Sequence, residues 1–382
     1  MSIRIVVVDD SVVIRRLVVQ ALESDPGIEV VGTAANGKIA LTKIEQLAPD
    51  AVTMDIEMPE LNGVEAVREL RKRGQRMPIV MFSTLTERGA TATLDALAAG
   101  ASDYVAKPSN VGSLNESLKA VADQLIPKIR ALLPNLSRLN PIKPVAGAAG
   151  AAHTESVRAT VTATSAVHKQ ANAVARSDMR KHPIRAVVVG SSTGGPEALS
   201  RMISGIPDLL PVPMVVVQHM PPVFTKQLAN RLDRLGPHTV HEAVAGQELL
   251  PGHIYIAPGN YHLVLKKQGT AMVCELNQDP PVNFCRPSVD VMFRSALEKY
   301  GPELLTVVLT GMGSDGKAGA GAIVEAGGTV IVQDEETSVV WGMPGATAIA
   351  GYAHRILPLN EIGSTITGIV AASRVQVGGR MG

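Results

Sequence analysis

The chain is poor in cysteine, in aromatic side chains and in long apolar runs. Its 382 residues include two cysteines, Cys274 and Cys285, and only 3% aromatic residues. Two cysteines are too few for a disulfide-built scaffold and favour a reduced, cytosolic setting. No apolar run approaches the ~18 residues of a membrane-spanning helix. The opening MSIRIVVVDD does not have the pattern of a signal peptide. We therefore expect a soluble cytoplasmic protein with no membrane insertion.

Net charge is also nearly absent. Thirty-six basic residues against 35 acidic ones leave a formal charge of +1. This balance provides no field that would favour nucleic acid or anionic lipid as the main partner. The apolar content of 46% is typical of a globular protein with substantial cores. A length of 382 residues predicts two domains rather than one.

Short β-branched runs alternate with helix-period stretches in the first third of the chain. The predicted buried strands are Ile3–Val8, Ile28–Gly32, Ala51–Met54, Ile79–Phe82 and Asp103–Ala106. The predicted helices between them are Val12–Ser24, Lys38–Leu47, Asn62–Arg73 and Glu87–Ala99. This repeated alternation predicts a flavodoxin-like (βα)5 domain with a parallel sheet. We assign it to residues 1–130.

The composition changes after this domain, and the alternation of strand and helix patterns then resumes. Residues 131–182 are rich in Ala, Thr and Ser, which predicts a flexible linker; a helical stretch within Ala163–Ala175 is left open. Residues 183–375 predict a second doubly wound α/β domain, with a larger parallel or mixed sheet and helices on both faces. Inside it, HIYIAP and the pair HLVLKKQ and AMVCEL, separated by Gly269, predict a β-rich insert with a hairpin.

Acidic side chains end two predicted strands of the first domain. Asp9 and Asp10 end the first strand and Asp55 ends the third. Ligands of open α/β sheets lie at the carboxyl ends of strands, so these carboxylates should converge. Their repulsion favours a hard divalent cation, and Mg²⁺ fits best. Ser83 and Lys107 follow two further strands and offer a hydroxyl and an ammonium to a phosphoryl group. Each residue alone is more simply a solvated turn residue, but five on consecutive strand ends favour a site.

The segments VVVDDS, MDIEMPELNG and AGASDYVAKP resemble those of response-regulator receiver domains. The resemblance extends over about the first 125 residues. It implies that Asp55 is the phosphoacceptor and that Asp9 and Asp10 help it to bind Mg²⁺. A sister histidine kinase is then the expected phosphodonor. The other members of the phosphate switch that the resemblance implies are Ser83, Tyr104 and Lys107.

A second set of reactive side chains follows strands of the second domain. AVVVG runs into SSTGGPEAL, the next strand ends at His219, and a later strand runs into LTGMGSDG, which contains Asp315. A hydroxyl, an imidazole and a carboxylate are what acyl transfer requires: a nucleophile, a base, and an anion that orients the imidazolium. The run SSTGGPEAL lacks the lysine of a P-loop and the spacing of GxGxxG, so it is a poor nucleotide signature.

Each of these residues also has a simpler interpretation. A serine before two glycines is usually a turn residue, and a single histidine at a strand end is more often structural. Asp315, followed by Gly316 and a predicted helix, is a plausible N-cap. The coincidence of all three at strand ends favours a site. Cys274 and Cys285 are interpreted as buried or incidental thiols, and His262 either lines the cleft or lies on a strand surface.

Five stretches, GSSTGGPEAL, QHMPPVFT, GHIYIAPGNYHL, RPSVDVMF and LTGMGSDG, resemble the catalytic domain of the chemotaxis protein-glutamate methylesterase (CheB) family. They are spread over Ile184–Ala372. The family's pattern implies Ser192 as nucleophile, His219 as general base and Asp315 as the carboxylate that orients it. The order Ser, His, Asp and the lack of GxSxG separate this pattern from the α/β-hydrolases. Ser191 stands where an alanine is common in the family.

The resemblance implies an activity and its partners. The expected reaction is hydrolysis of glutamate γ-methyl esters on the cytoplasmic region of chemoreceptors, with deamidation of receptor glutamines as a second activity. Backbone N–H groups at Thr193 or Met312 are candidates for stabilising the oxyanion. Esterase chemistry of this kind needs no metal, so Mg²⁺ belongs to the receiver alone. We further hypothesise that the unphosphorylated receiver covers the active-site edge.

Two other classes of protein compete with this interpretation. A response regulator with a DNA-binding output should show a recognition-helix pattern and a basic face. The Lys and Arg residues of the second domain are instead scattered and nearly balanced by acids. A catalytically silent adaptor that docks receptors is the second alternative. The intact serine, histidine and aspartate argue against it, and a methanol-release assay separates the two.

Overall fold

The computed structural model describes residues 2–108, 113–134, 173–179 and 182–378. No helix within these ranges has both the length and the apolarity needed to cross a membrane. The strands of the first region are β1 (Ile3–Val8), β2 (Ile28–Ala34), β3 (Ala51–Asp55), β4 (Ile79–Ser83) and β5 (Asp103–Ala106). Its helices are α1 (Val12–Glu23), α2 (Gly37–Leu47), α3 (Gly63–Lys72), α4 (Glu87–Ala98) and α5 (Leu114–Leu132).

The first sheet has the order β2-β1-β3-β4-β5, and all its neighbouring strands are parallel. The chain leaves β1 on one side to form β2 and returns on the other side to form β3. The topological switch point, where ligands bind in such sheets, therefore lies between the ends of β1 and β3. This confirms the flavodoxin-like prediction. Most of the predicted linker at 131–182, including most of Ala163–Ala175, lies outside the described residues.

Local capping fixes the loop that follows β3. Asn62 accepts a hydrogen bond from the Glu65 amide (2.9 Å), and the Glu65 carboxylate accepts one from the Asn62 amide (3.1 Å). This reciprocal capping box satisfies two of the amides left free at the start of α3. A Cβ at Gly63 would lie 2.0 Å from the Asp55 carbonyl oxygen, so the helix begins close against the end of β3. The loop after the predicted phosphoacceptor is thus tightly defined.

The second region is larger. Its strands are β6 (Ala186–Ser191), β7 (Met214–Gln218), β8 (Thr239–Glu242), β9 (His253–Ile256), β10 (His262–Gln268), β11 (Ala271–Asn277), β12 (Leu304–Val308), β13 (Thr329–Gln333) and β14 (Arg355–Leu357). Its helices are α6 (Gly195–Ser204), α7 (Phe224–Leu232), α8 (Val289–Tyr300), α9 (Lys317–Glu325), α10 (Met343–Ile349) and α11 (Leu359–Gly378).

The main sheet of the second region has seven parallel strands in the order β14-β13-β12-β6-β7-β9-β8. Apolar layers cover both of its faces. The predicted sheet is therefore confirmed and is parallel rather than mixed. Strands β10 and β11 form a separate antiparallel hairpin. The assignment of HIYIAP to the insert was wrong: β9 lies between β7 and β8 and is buried on both faces.

The two regions pack against each other through α4 and β5 of the first and α6 and α7 of the second. Tyr104 on β5 stacks on Phe224 of α7, with ring centroids 4.8 Å apart and planes 7° apart. Asp95 and Arg231 form an ion pair of 2.9 Å at the edge of this contact. The apolar cluster on this face of the first sheet continues into the second region. The start of β5 is thereby held beside the loop that follows β6.

Candidate catalytic and phosphorylation sites

Asp9, Asp55 and Lys107 meet at the switch point of the first sheet. The Lys107 ammonium lies 2.8 Å from Asp55 Oδ2 and 3.1 Å from Asp9 Oδ2. Burial raises the pKa of Asp55 to about 6, and it also raises the pKa of Asp9. Burial alone would lower the pKa of Lys107, but its hydrogen bond to Asp55 raises it. The pocket therefore holds two carboxylates that favour a positive partner.

This pocket suits a magnesium ion. Carboxylate oxygens of Asp9, Asp10 and Asp55 all lie within 4.8 Å of one another. Among the described residues, the buried Oδ2 of Asp9 has no hydrogen-bond partner and only the nearby Lys107 ammonium to balance it. Asp10 is exposed and opens the pocket to solvent. An all-oxygen, acidic set of this kind matches the preference of Mg²⁺, and these three residues would hold it.

Magnesium should stabilise the folded chain more strongly at pH 7.5 than at pH 5. The pKa of Asp55 rises from 3.8 to about 6 on folding, so its contribution to stability is complete below pH 3.8 and is lost as the pH rises through about 6. Above that pH the Asp55 carboxylate is ionised, and a bound Mg²⁺ neutralises it in place of the proton. At ~100 times its dissociation constant an ion adds about 2.7 kcal/mol. The measurement is the thermal unfolding midpoint with Mg²⁺ or with a chelator at both pH values. Equal shifts of the midpoint at the two pH values would contradict the prediction. The variant Asp55→Asn, which lacks this carboxylate, is the control.

The two remaining switch residues are held by contacts outside the carboxylate set, although Ser83 lines the same pocket. The Ser83 hydroxyl accepts a hydrogen bond from the Thr93 hydroxyl on α4 (2.8 Å) and donates to the Gly89 carbonyl (3.2 Å). Tyr104 is buried against Phe224. The structure thus brings Asp9, Asp55 and Lys107 together. It leaves Ser83 bound to α4 and Tyr104 bound to the second region.

The predicted reactive residues of the second region lie around one switch point. Strands β12, β6 and β7 are neighbours, and the sequence passes from β6 to β7 on one side before returning to β12 on the other. Ser191 pairs with Gln218, so Ser192 and His219 follow at equivalent positions on adjacent strands. His219 Nε2 lies 2.8 Å from Asp315 Oδ2. The predicted base and its orienting carboxylate are therefore in direct contact.

Asp315 is held in place by many donors. Those that reach its two oxygens at 2.7–3.1 Å are the Ser288 hydroxyl, the Asn283 amide group and the backbone amides of Val289, Asp290 and Gly316. Several of these donors belong to the start of α8, where the helix dipole favours an anion. Burial would raise the pKa of Asp315, but the hydrogen bond with His219 and these donors lower it far below its usual range. Asp315 does not cap α9, which begins after Gly316 without a side-chain cap.

The His219 imidazole lies between the Asp315 carboxylate and the Cys285 thiol. Burial alone would lower its pKa, but the hydrogen bond to Asp315 and the contact with Cys285 raise the pKa to about 9. Its Nδ1 atom lies 3.6 Å from Cys285 Sγ. Because Nε2 faces the carboxylate, Nδ1 is the ring atom left for a nucleophile. No sequence pattern indicates this thiol contact, which joins residues 66 positions apart.

The two adjacent serines have different surroundings. Ser191 is buried, and its hydroxyl donates to Gln218 Oε1 at 2.7 Å. Ser192 is partly exposed, and among the described residues its hydroxyl makes no hydrogen bond, including none to His219. Its backbone is fixed instead, because its amide donates to Thr310 O (3.0 Å) and its carbonyl accepts from the Gln218 side chain (2.9 Å). This leaves the Ser192 hydroxyl free to rotate, whereas Ser191 is committed to a structural bond.

Two glycines permit the close packing around Ser192. A Cβ at Gly195 would lie 1.9 Å from Gln218 Oε1, and one at Gly311 would lie 2.8 Å from Ser192 Cβ. Thr193 lies between Ser192 and Gly195, and Met312 follows Gly311; within the described part of the chain neither backbone amide donates a hydrogen bond. Both amides therefore remain available, and their role towards an oxyanion stays a prediction.

The Thr193 side chain makes a contact that links the two regions. Its buried hydroxyl donates to Asp103 Oδ2 at 2.8 Å. The same carboxylate oxygen lies 2.6 Å from the Lys128 ammonium on α5. The residue directly after the predicted nucleophile is therefore bound to the receiver-like region. His262, by contrast, neither lines the cleft nor lies on the surface: it is buried, and its Nδ1 accepts from the Ser288 amide (3.2 Å).

A strained turn lies beside the His219–Asp315 pair. Val282 and Cys285 exchange two backbone hydrogen bonds, of 3.1 and 2.9 Å. The residues between them, Asn283 and Phe284, have φ angles of 53° and 62°. The left-handed conformation costs a non-glycine residue roughly 1–2 kcal/mol. Phe284 is also fully exposed to solvent.

Two parallel α/β sheets, an acidic pocket on the first and a serine, histidine and aspartate around the switch point of the second, define a response regulator with an enzyme-like output domain. Residues 5–119 match the response regulator receiver domain family, and residues 187–366 match the CheB methylesterase family. The chain belongs to the protein-glutamate methylesterase/protein-glutamine glutaminase family, in which a receiver is joined to a CheB methylesterase domain.

Relatives with this name match almost the whole chain. One from Nocardioides sp. is 55% identical over 98% of this chain and 97% of its own length. One from Trichodesmium erythraeum is 43% identical over 95% and 97%. Two solved structures from Thermotoga maritima match one region each. They are the CheB methylesterase catalytic domain (46% identity, TM-score 0.48, 49% of this chain and 99% of that one) and the CheB response regulator domain (40%, 0.32, 37% and 100%).

Proposed function

We propose that this chain hydrolyses glutamate γ-methyl esters on the cytoplasmic region of chemoreceptors, with release of methanol, and that it deamidates receptor glutamines. The observation that carries the proposal is the His219–Asp315 pair of 2.8 Å beside the partly exposed Ser192. The names of the relatives, protein-glutamate methylesterase/protein-glutamine glutaminase, support the same chemistry. In this proposal the chain acts in the cytoplasm, where the proposed receptor regions lie.

The proposed reaction begins with a small rotation of Ser192. His219 Nδ1 accepts the hydroxyl proton as Ser192 Oγ attacks the ester carbonyl, and Asp315 stabilises the imidazolium. The imidazolium then gives its proton to the leaving methoxide, which departs as methanol. Water, deprotonated by His219, hydrolyses the glutamyl-serine ester and restores the free hydroxyl. A receptor glutamine would follow the same course with ammonia as the leaving group.

The free amides of Thr193 and Met312 would stabilise the oxyanion in both steps. They lie on the two loops that flank the switch point, one after β6 and one after β12. Removing one such donor typically costs about 3–4 kcal/mol of transition-state stabilisation. None of these steps requires a metal ion. In this proposal Mg²⁺ serves only the receiver, where it supports phosphoryl transfer to Asp55.

The pH dependence of ester hydrolysis should show the raised pKa of His219. A general base must be neutral, and this imidazole has a pKa of about 9. We therefore expect kcat/KM to rise by nearly tenfold per pH unit from pH 7 to 8, to reach half its maximum near pH 9 and to level off above it. Asp315→Asn removes the anion that holds the proton, so the rising limb should move to lower pH while the maximum falls. A wild-type limb centred near the ordinary histidine pKa would contradict this.

We further propose that phosphorylation of Asp55 releases the second region from the first. In the proposed division the receiver spans residues 1–130, the linker 131–182 and the catalytic domain 183–375. The support is the contact itself: Tyr104 stacks on Phe224, and Asp103 binds the residue after the proposed nucleophile. A phosphoryl group at Asp55 would attract the Ser83 hydroxyl away from α4, which packs on the second region. A coupling of ~1–3 kcal/mol gives a ~5–150-fold response.

Methanol release from a methylated receptor fragment, measured with and without a small-molecule phosphodonor, tests the whole proposal. We expect release in both conditions and a faster rate with the phosphodonor and Mg²⁺ present. The variant Asp55→Asn should keep the basal rate and lose the stimulation. A chain that binds receptor and releases no methanol in any condition would instead be an adaptor.

A further inference from the structure

The exposure of one aromatic side chain in the second region is not explained by packing within the chain. The chain has four phenylalanines; Phe82, Phe224 and Phe293 are buried, whereas Phe284 is fully exposed, at 103%. A single exposed apolar residue is ordinary on a protein surface. Two further observations, the conformation of its turn and the attachment of that turn, set Phe284 apart.

The turn that carries Phe284 favours a different residue. Asn283 and Phe284 both have left-handed φ angles, and Val282 and Cys285 close the turn with paired backbone hydrogen bonds. Two-residue hairpin turns of this kind favour asparagine followed by glycine. The chain has the asparagine but places a bulky aromatic residue where glycine fits best. Backbone strain of this sort persists at sites where the surroundings enforce it and where it serves a function.

The turn is attached to the catalytic pair on both sides of Phe284. The Asn283 side chain donates to Asp315 Oδ1 and to Asp290 Oδ2, both at 2.9 Å. Cys285 Sγ lies 3.6 Å from His219 Nδ1. Phe284 is therefore presented to solvent from a turn that is bonded to the base and to its orienting carboxylate. Its position relative to the reacting groups is defined by these bonds.

We infer that Phe284 is a specificity residue that packs on an apolar side chain of the protein substrate, next to the esterified glutamate. The inference rests on the proposed function and identifies how the chain binds a protein rather than a free ester. A rigid aromatic ring supplies a large contact area at little cost in conformational entropy, as at the binding hot spots of other interfaces. Phe284 is exposed even while the first region contacts Thr193, so it can engage substrate before phosphorylation.

The test compares a protein substrate with a small one in the full-length chain. Phe284→Asn keeps a residue that tolerates the left-handed conformation and removes the ring. We expect its kcat/KM for a methylated receptor fragment to fall about tenfold, through KM, which corresponds to about 1.4 kcal/mol. Hydrolysis of N-acetylglutamate γ-methyl ester should fall far less. Phe284→Tyr should restore receptor turnover, and Leu209→Asn, at an exposed apolar residue that precedes β7, is the matched control.

A second variant distinguishes the loss of the substrate contact from the relief of backbone strain at this position. Phe284→Gly should raise the unfolding midpoint, because glycine adopts positive φ without strain, and should still lose the preference for receptor. Equal losses of Phe284→Asn on receptor and small ester, or no loss on either, would overturn the inference. Wild-type chain that releases methanol from neither substrate would overturn the proposed function and this inference with it.

Discussion

Replacing Ser192 by alanine is expected to reduce ester hydrolysis on the order of 10⁴–10⁶-fold, because the covalent route disappears and only binding and oxyanion stabilisation remain. The substitution should leave folding intact, since the Ser192 hydroxyl makes no hydrogen bond among the described residues and its backbone is held through its amide and carbonyl. Methanol release from methylated receptor measures the loss, and the thermal unfolding midpoint checks the fold.

Ser191→Ala is the matched control for this experiment. It removes a hydroxyl from the neighbouring position, but one that is buried and bound to Gln218. Because this leaves the buried Gln218 oxygen without its donor, the substitution should cost roughly 1–3 kcal/mol of stability and should change turnover far less than the loss of Ser192. If Ser191→Ala proved inactive and Ser192→Ala active, the nucleophile would be the other serine.

Replacing Thr193 by valine is expected to raise the basal hydrolysis rate about tenfold or more without phosphodonor. The substitution keeps the backbone amide but removes the hydroxyl that donates to Asp103 Oδ2. Hydrogen bonds to charged groups contribute about 1.5–3 kcal/mol, so the closed arrangement should weaken by a comparable amount. The rate with phosphodonor should stay nearly unchanged, because the released state no longer contains this bond.

The partner of this bond provides a double-mutant cycle. Asp103→Ala removes the acceptor from the other side, and combining it with Thr193→Val should raise the basal rate no further than the stronger single variant. Thr91→Val is the control at the edge of the same interface, since its hydroxyl donates within α4 to the Glu87 carbonyl (3.0 Å) and reaches the second region only through a 3.4 Å contact with Gln227. Equal losses by Thr193→Val in both the basal and stimulated states would show that the hydroxyl serves the chemistry instead.

The strand-end rule accounts for most of the site residues that the sequence predicts. Asp9, Asp55 and Lys107 follow three strands of one parallel sheet, and such a sheet brings the ends of its strands to one edge. The same argument holds for His219 and Asp315. These placements need only the order of elements and the polarity of the residues after each strand, which local sequence carries.

Contacts made by irregular loops were not predictable in this way. Asn283 and Cys285 lie in a loop between β11 and α8 that has no hydrophobic period, yet they reach Asp315 and His219. Strand ends alone could not separate Ser191 from Ser192, which only the family resemblance distinguished, because their structural difference is which hydroxyl Gln218 binds, a contact across 27 positions of sequence. The error over HIYIAP has a similar origin, because a short apolar run shows that a strand is buried without showing which strands pair with it.

The sequence alone determined two α/β domains and the residues that end their strands, because hydrophobic period and strand-end polarity are local properties of the chain. Only the tertiary structure decided which side chains touch: the hydrogen bond from Thr193 to Asp103, the stacking of Tyr104 on Phe224 and the contacts that attach the Phe284 turn to Asp315 and His219. Each of these depends on the distance between segments far apart in sequence. Such distances follow from how the two sheets pack, which no local pattern encodes.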